Sequence, residues 1–129
     1  MKSLKIFALA ALASVAIYSG VQAQDSYKFA VVPKAMNNPF FDLTWDGCVA
    51  EAAKLGNVEC IYLGPVEHEP ATQAQIIDDL ITQGVDGLAI SVSDIAAAST
   101  VIDKAAAAGI AVITFDSDAP DSKRTAYVG

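Results

Sequence analysis

Three short apolar runs in this sequence each end in a polar turn and give way to a longer segment of helical spacing. The runs are Tyr27–Val32, Val58–Leu63 and Gly87–Val92, and a fourth, Ile110–Phe115, precedes a polar loop and a short fifth run, Thr125–Val128. Apolar runs of this length without polar alternation suit strands buried on both faces, which is how parallel sheets are built. The segments between them predict helices over Asp42–Leu55, from about Ala71 to Gly84, and over Ile95–Ala108. The order β-α-β-α-β-α-β-loop-β implies an α/β fold, a parallel sheet with helices on both faces. Right-handed crossovers leave few topologies, and the flavodoxin-like order 2-1-3-4-5 fits best.

Local signals set the boundaries. Pro33 ends the first strand, since proline cannot donate to a central ladder. Asn38 before Pro39 reads as an N-cap followed by proline at the first helical position. Gly56-Asn57 and Gly84 supply C-terminal stops, and Asp94 caps the third helix. Phe41, Trp45, Cys48, Ala52 and Leu55 recur at helical spacing and predict the sheet-facing stripe of the first helix. Ile76, Ile77, Leu80 and Ile81 do the same for the second.

Met1–Lys5 is a short cationic region, Ile6–Tyr18 is apolar but short for a bilayer span, and Val21-Gln22-Ala23 places small residues at a cleavage position. Residues 1–23 are therefore expected to be a signal peptide, and the mature chain an exported one. Removing Lys2 and Lys5 leaves 6 basic against 15 acidic residues, a net charge of −9. So acidic a chain repels phosphate backbones, and nucleic-acid binding is not expected. Cys48 and Cys60 are the only cysteines. In an oxidising compartment they pair if their Cα atoms come within about 7 Å; otherwise they pack as small apolar groups.

Chemistry-bearing motifs are few. There is no Gly-x-Gly-x-x-Gly after the first strand and no Gly-Lys-Ser/Thr phosphate loop, so no nucleotide cofactor is expected. No Gly-x-Ser-x-Gly elbow appears. His68, between Glu67 and Glu69 in a proline-flanked loop, reads as solvated rather than metal-binding, and Asp78-Asp79 as a solvated helix face. No metal, cofactor or catalytic residue is expected. Two clusters remain at the carboxyl ends of strands, where open α/β sheets bind ligands. One is Lys34 with Asn38, Phe40 and Phe41; the other is Asp116 with Ser117. A carboxylate accepts strong bonds from hydroxyls, a lysine donates, and aromatic rings offer apolar faces to the C–H side of a sugar. The competing reading has Asn38 as a helix cap, Phe41 as core and Asp116 as a turn cap.

With these residues in view the chain resembles the amino-terminal lobe of the ribose-binding-protein-like (type I) periplasmic binding proteins, which feed ABC importers. The resemblance rests on Asn37-Asn38-Pro39-Phe40-Phe41 and on Ile113-Thr114-Phe115-Asp116-Ser117-Asp118. The alanine-rich helices and the turn Gly84-Val85-Asp86-Gly87-Leu88 add to it. It implies that Asn38, Phe40, Phe41 and Asp116 touch a sugar. In the ribose pattern a serine stands in place of Lys34 and an arginine in place of Ser117, which points away from ribose. Pro33-Lys34, Gly64-Pro65 and Asp116-Ser117-Asp118 are similar instead to the autoinducer-2 and rhamnose receptor branch, whose lysine and aspartate contact the ligand. The resemblance further implies two lobes closing over a ligand, of which residues 24–129 supply one. Expected partners are a sugar-like ligand, an ABC permease and, in some members, a chemoreceptor; no stable membrane insertion is expected after signal cleavage. The effector domain of a LacI-type regulator shares the fold but lacks an export signal, and an exported α/β enzyme is the remaining alternative.

Overall fold

The structure, a computed structural model, describes residues 25–129, so the expected signal segment 1–23 lies outside the described residues. Five strands, β1 (Tyr27–Val32), β2 (Val58–Tyr62), β3 (Gly87–Ile90), β4 (Ala111–Phe115) and β5 (Ala126–Val128), form one parallel sheet in the order β2-β1-β3-β4-β5. The expected 2-1-3-4-5 order is the one found. The reversal of strand order falls between β1 and β3, where Val32 pairs with Ile90 in the last rung of the ladder. Three helices connect the strands: α1 (Asp42–Leu55), α2 (Pro70–Gln83) and α3 (Ile95–Ala107).

The two faces of the sheet differ. On one, α2 and α3 bury Ile77, Leu80, Ala98, Ile102 and Ala105 against Ala30, Val32, Leu88, Ile90 and Val112. Each fully buried Ile or Leu here contributes roughly 1.5–3 kcal/mol. The alanines of α3 let that helix lie close to its neighbours. On the other face α1 lies alone, over a smaller cluster of Val31, Phe41 and Phe115 with Cys48, Tyr62 and Ala89 beside it. The expected stripe of α1 is correspondingly shallow: Trp45, Cys48 and Ala52 are half-buried, and Leu55 is exposed. Beyond α1 the sheet stays open, with Tyr27, Phe29, Ile113 and Val128 exposed. The strands are thus not buried on both faces throughout, as their apolar content predicts.

Two local readings change in detail. Asn38 does cap a helix start, its Oδ1 accepting from the Phe40 N–H at 3.0 Å, but the capped element is a 3₁₀ turn over Pro39–Phe41. That turn runs into α1, which has no side-chain cap of its own. The third strand ends at Ile90, and Ser91 and Val92 lie past it on the rim. Asp94 caps α3 as expected, accepting from Ala97 N–H at 2.9 Å. Cys48 on α1 and Cys60 on β2 are joined as a disulfide, their Cα atoms 6.2 Å apart.

Candidate functional site

Lys34, Ser91 and Asp116 follow β1, β3 and β4, three adjacent strands, so the sheet order carries them to one rim. There Asp116 is the hub. The Lys34 ammonium lies 2.9 Å from Oδ2. Ser91 donates its hydroxyl to the same oxygen at 2.8 Å, and Ser117 does so at 3.2 Å. Lys34 also donates to the Ser117 hydroxyl. No hydrogen bond reaches Oδ1 among the described residues. Burial alone would raise the Asp116 carboxyl; the bonds from Lys34, Ser91 and Ser117 and the Lys34 charge outweigh it and hold it below its ordinary value.

The backbone of Asp116 is unusual as well. Its φ of 58° makes it the one non-glycine residue with positive φ among the described residues. Ser117 N–H donates to Phe115 C=O at 2.6 Å, closing a tight turn with Asp116 at its centre. Such a conformation persists only when its surroundings over-determine it. Here Asp116 N–H donates to Val128 C=O, Tyr127 Oη donates to Asp116 C=O, and Val92 N–H donates to Ser117 C=O, each at 3.1 Å.

The β1–α1 loop is braced from the side. Met36 and Asn37 donate their N–H groups to Pro65 and Val66 C=O at 2.8 and 3.0 Å. Gly64 permits this approach, because a Cβ there would sit 2.8 Å from Pro33 O. The Pro33-Lys34 and Gly64-Pro65 pairs singled out in the sequence are therefore neighbours in space.

A groove of about 540 Å³ starts at this rim, between Phe40, Asp116 and Tyr127, and runs down the open side of the sheet past Thr44, Ala89 and Ile113. Its size is that of small-molecule sites in general. Phe40, 55 % exposed, lines it with Asp116. Phe41 does not. It is 1 % exposed and packs edge-on against Phe40 and Phe115, at centroid distances of 5.2 and 6.1 Å. Its part is to set the angle of the Phe40 ring from below, as the sheet-facing stripe predicts, and it has no surface on the groove for the ligand contact that the resemblance implies. Asn38 is exposed, with its Oδ1 committed to the turn, and Lys34 and Ser117 reach the groove through Asp116.

Two residues at this rim escape a motif-based search. Ser91 sits at a strand end, where its position is a signal, and the structure makes it a direct partner of Asp116. Gln73 lies on α2 in phase with Ile77 and Leu80, a polar side chain on an apolar stripe, and is buried. That phase is the signal that could have found it.

The arrangement can receive hydroxyl groups on a carboxylate and an apolar ring face on Phe40. A family model described as the periplasmic binding protein domain matches residues 29–129. The chain is 30% identical over 128 residues to the ribose import binding protein RbsB of Escherichia coli (strain K12), covering 99% of this chain and 42% of that protein. In fold it is similar to an ABC transporter solute binding protein from Burkholderia graminis C4D1M in complex with D-arabinose, with TM-score 0.73 and 40% identity over 80% of this chain and 35% of the other. It is also similar to LsrB from Clostridium saccharobutylicum in complex with AI-2, with TM-score 0.66 and 28% identity over 70% of this chain and 28% of that one. The chain spans less than half the length of the curated relatives it matches. Since the matched residues include the whole rim and nearly all of the sheet, the chain belongs to the periplasmic binding protein domain family.

Proposed function

We propose that this protein is the periplasmic solute-binding component of an ABC-type sugar importer and is not an enzyme. It holds a monosaccharide-like ligand and hands it to a membrane permease. One observation carries the reading: Asp116 is fixed in a left-handed turn with Oδ2 occupied by Lys34, Ser91 and Ser117, beside an exposed Phe40 ring on the same groove. A carboxylate so oriented accepts sugar hydroxyls in charge-assisted bonds, while the ring covers an apolar sugar face. Residues 24–129 form the amino-terminal lobe in this reading, and a second lobe closes over the rim by a hinge motion. Export to the periplasm follows from the basic, apolar, small-residue order of residues 1–23.

A second reading, an autoinducer-2-type signal receptor, is favoured by the lysine on the aspartate and by the likeness to LsrB. A thermal-shift screen of the full-length protein against pentoses, hexoses, deoxysugars, polyols and autoinducer-2 separates the two. A sugar is expected to raise the melting temperature. A rise with autoinducer-2 alone selects the second reading, and a rise only with a nucleotide or amino acid rejects both.

A further inference from the structure

We propose that Gln73 is a positioning residue for this site: its side-chain amide ties the carboxyl ends of β1 and β3 together so that Lys34 and Ser91 converge on Asp116. The proposal rests on the reading of the rim as a ligand site, and its geometry is independent of which ligand binds.

Gln73 is 2 % exposed and lies in the first turns of α2, between the helix and the strand ends. Its Nε2 donates to Ser91 C=O at 2.7 Å and to Pro33 C=O at 3.2 Å. Its Oε1 accepts from Ser93 N–H at 3.0 Å. Each partner bears on the hub. Pro33 precedes Lys34, Ser91 donates to Asp116, and Ser93 sets the direction in which the chain leaves β3. The hydroxyl of Ser93 is itself buried with no partner among the described residues.

The need for such a tie follows from the sheet. The ladder between β1 and β3 ends with Val32 opposite Ile90 and one further bond, Ser91 N–H to Val32 C=O at 3.0 Å. Past that point the two chains must diverge toward α1 and α3, which leaves the buried carbonyls of Pro33 and Ser91 without ladder partners. Buried polar groups left unpaired are costly. A primary amide carries two donors and a carbonyl on one rigid plane, so a single glutamine can serve both carbonyls and the Ser93 N–H at once. Glutamate lacks the donors, asparagine is one methylene short, and methionine has neither. The helix that carries Gln73 is anchored by Ile77 and Leu80, both fully buried. The strand ends are therefore referred to a fixed frame rather than to a loop.

Lys34 is the charged group that meets Asp116 among the described residues, so the Asp116 carboxyl reports on whether Lys34 and Ser91 still converge. The test compares full-length wild type, Gln73→Met, the milder Gln73→Asn, and Ile77→Val. The last trims the core one turn along α2 without touching the rim. Titration of the Asp116 carboxyl by carbon NMR is expected to move upward, toward the ordinary aspartate value, in both Gln73 variants and to stay put in Ile77→Val. Affinity for the sugar giving the largest thermal shift is expected to fall about tenfold or more in Gln73→Met, the loss of roughly one charge-assisted bond. An Asp116 titration in folded Gln73→Met or Gln73→Asn that matches wild type overturns the proposal. If no sugar shifts the wild type, the sugar reading fails while the Asp116 titration still decides the role of Gln73.

Discussion

Asp116 and Asp118, two residues apart, do different work. Asp116 lies on the rim groove with no hydrogen bond to Oδ1 among the described residues, and Asp118 is turned inward to hold its own loop. Replacing Asp116 with Asn keeps the shape and removes the charge that, in the proposed function, draws ligand hydroxyls. We expect about 10- to 100-fold weaker binding of the sugar selected by the thermal-shift screen, measured by calorimetry on the full-length protein. Asp118 accepts from Arg124 through both oxygens, from Thr114 Oγ1 at 2.6 Å and from Ala119 N–H at 2.8 Å. The bonds from Arg124, ahead of opposing burial, lower its pKa to about 2. A carboxyl lowered on folding contributes stability that is complete above its unfolded value, about 3.9, and is lost as pH falls through the folded value. Arg124→Ala is therefore expected to raise the Asp118 titration and to flatten the acid loss of stability between about pH 4 and 2, read from thermal melts across that window.

At the scale of elements, α1 is the weakly held helix. It has no fully buried residue of its own, in contrast to α2 and α3. What fixes it is the Phe41 anchor before it, the stacking of Trp45 on Tyr62 at 5.4 Å, and the disulfide to β2. That disulfide closes a loop with a sequence separation of 12, for which loop entropy alone predicts about 3 kcal/mol. The double variant Cys48→Ser/Cys60→Ser should lose about 2–4 kcal/mol in urea unfolding, and added reductant should bring the wild type down by a similar amount. A helix buried as deeply as α2 would show a smaller dependence on its staple. Strand and helix boundaries were legible to within a residue or two, because glycine, proline and capping aspartate act through local backbone geometry. The depth of α1 was not, since helical spacing says which side faces inward and nothing about how much partner surface lies there.

Across the whole molecule, the apolar surface is unevenly spent. Tyr27, Phe29, Ile113 and Val128 leave apolar surface exposed on the α1 side of the sheet, and the groove from the rim reaches it at Ile113 and Val128. With Asp116 and Phe40 on one wall only, residues 24–129 by themselves should bind the selected sugar far more weakly than the full-length protein. Micromolar affinity of that segment in calorimetry would contradict the two-lobed reading. The same segment should bind a hydrophobic dye such as ANS, as contiguous exposed apolar patches do.

The sequence by itself determined the class of fold, the strand order and the two rim segments. Apolar runs, helical spacing and turn residues are local, and handedness rules then leave one favoured topology. Lys34, Phe40, Asp116 and Ser117 were visible because strand ends are where such sheets expose polar groups. Only the tertiary structure decided which of those residues meet. Asp116 gathers Lys34 and Ser91 across separations of 82 and 25 positions, and Gln73 reaches three backbone groups on two strand ends. Those outcomes depend on side-chain directions at long sequence distance, which spacing along a chain does not encode.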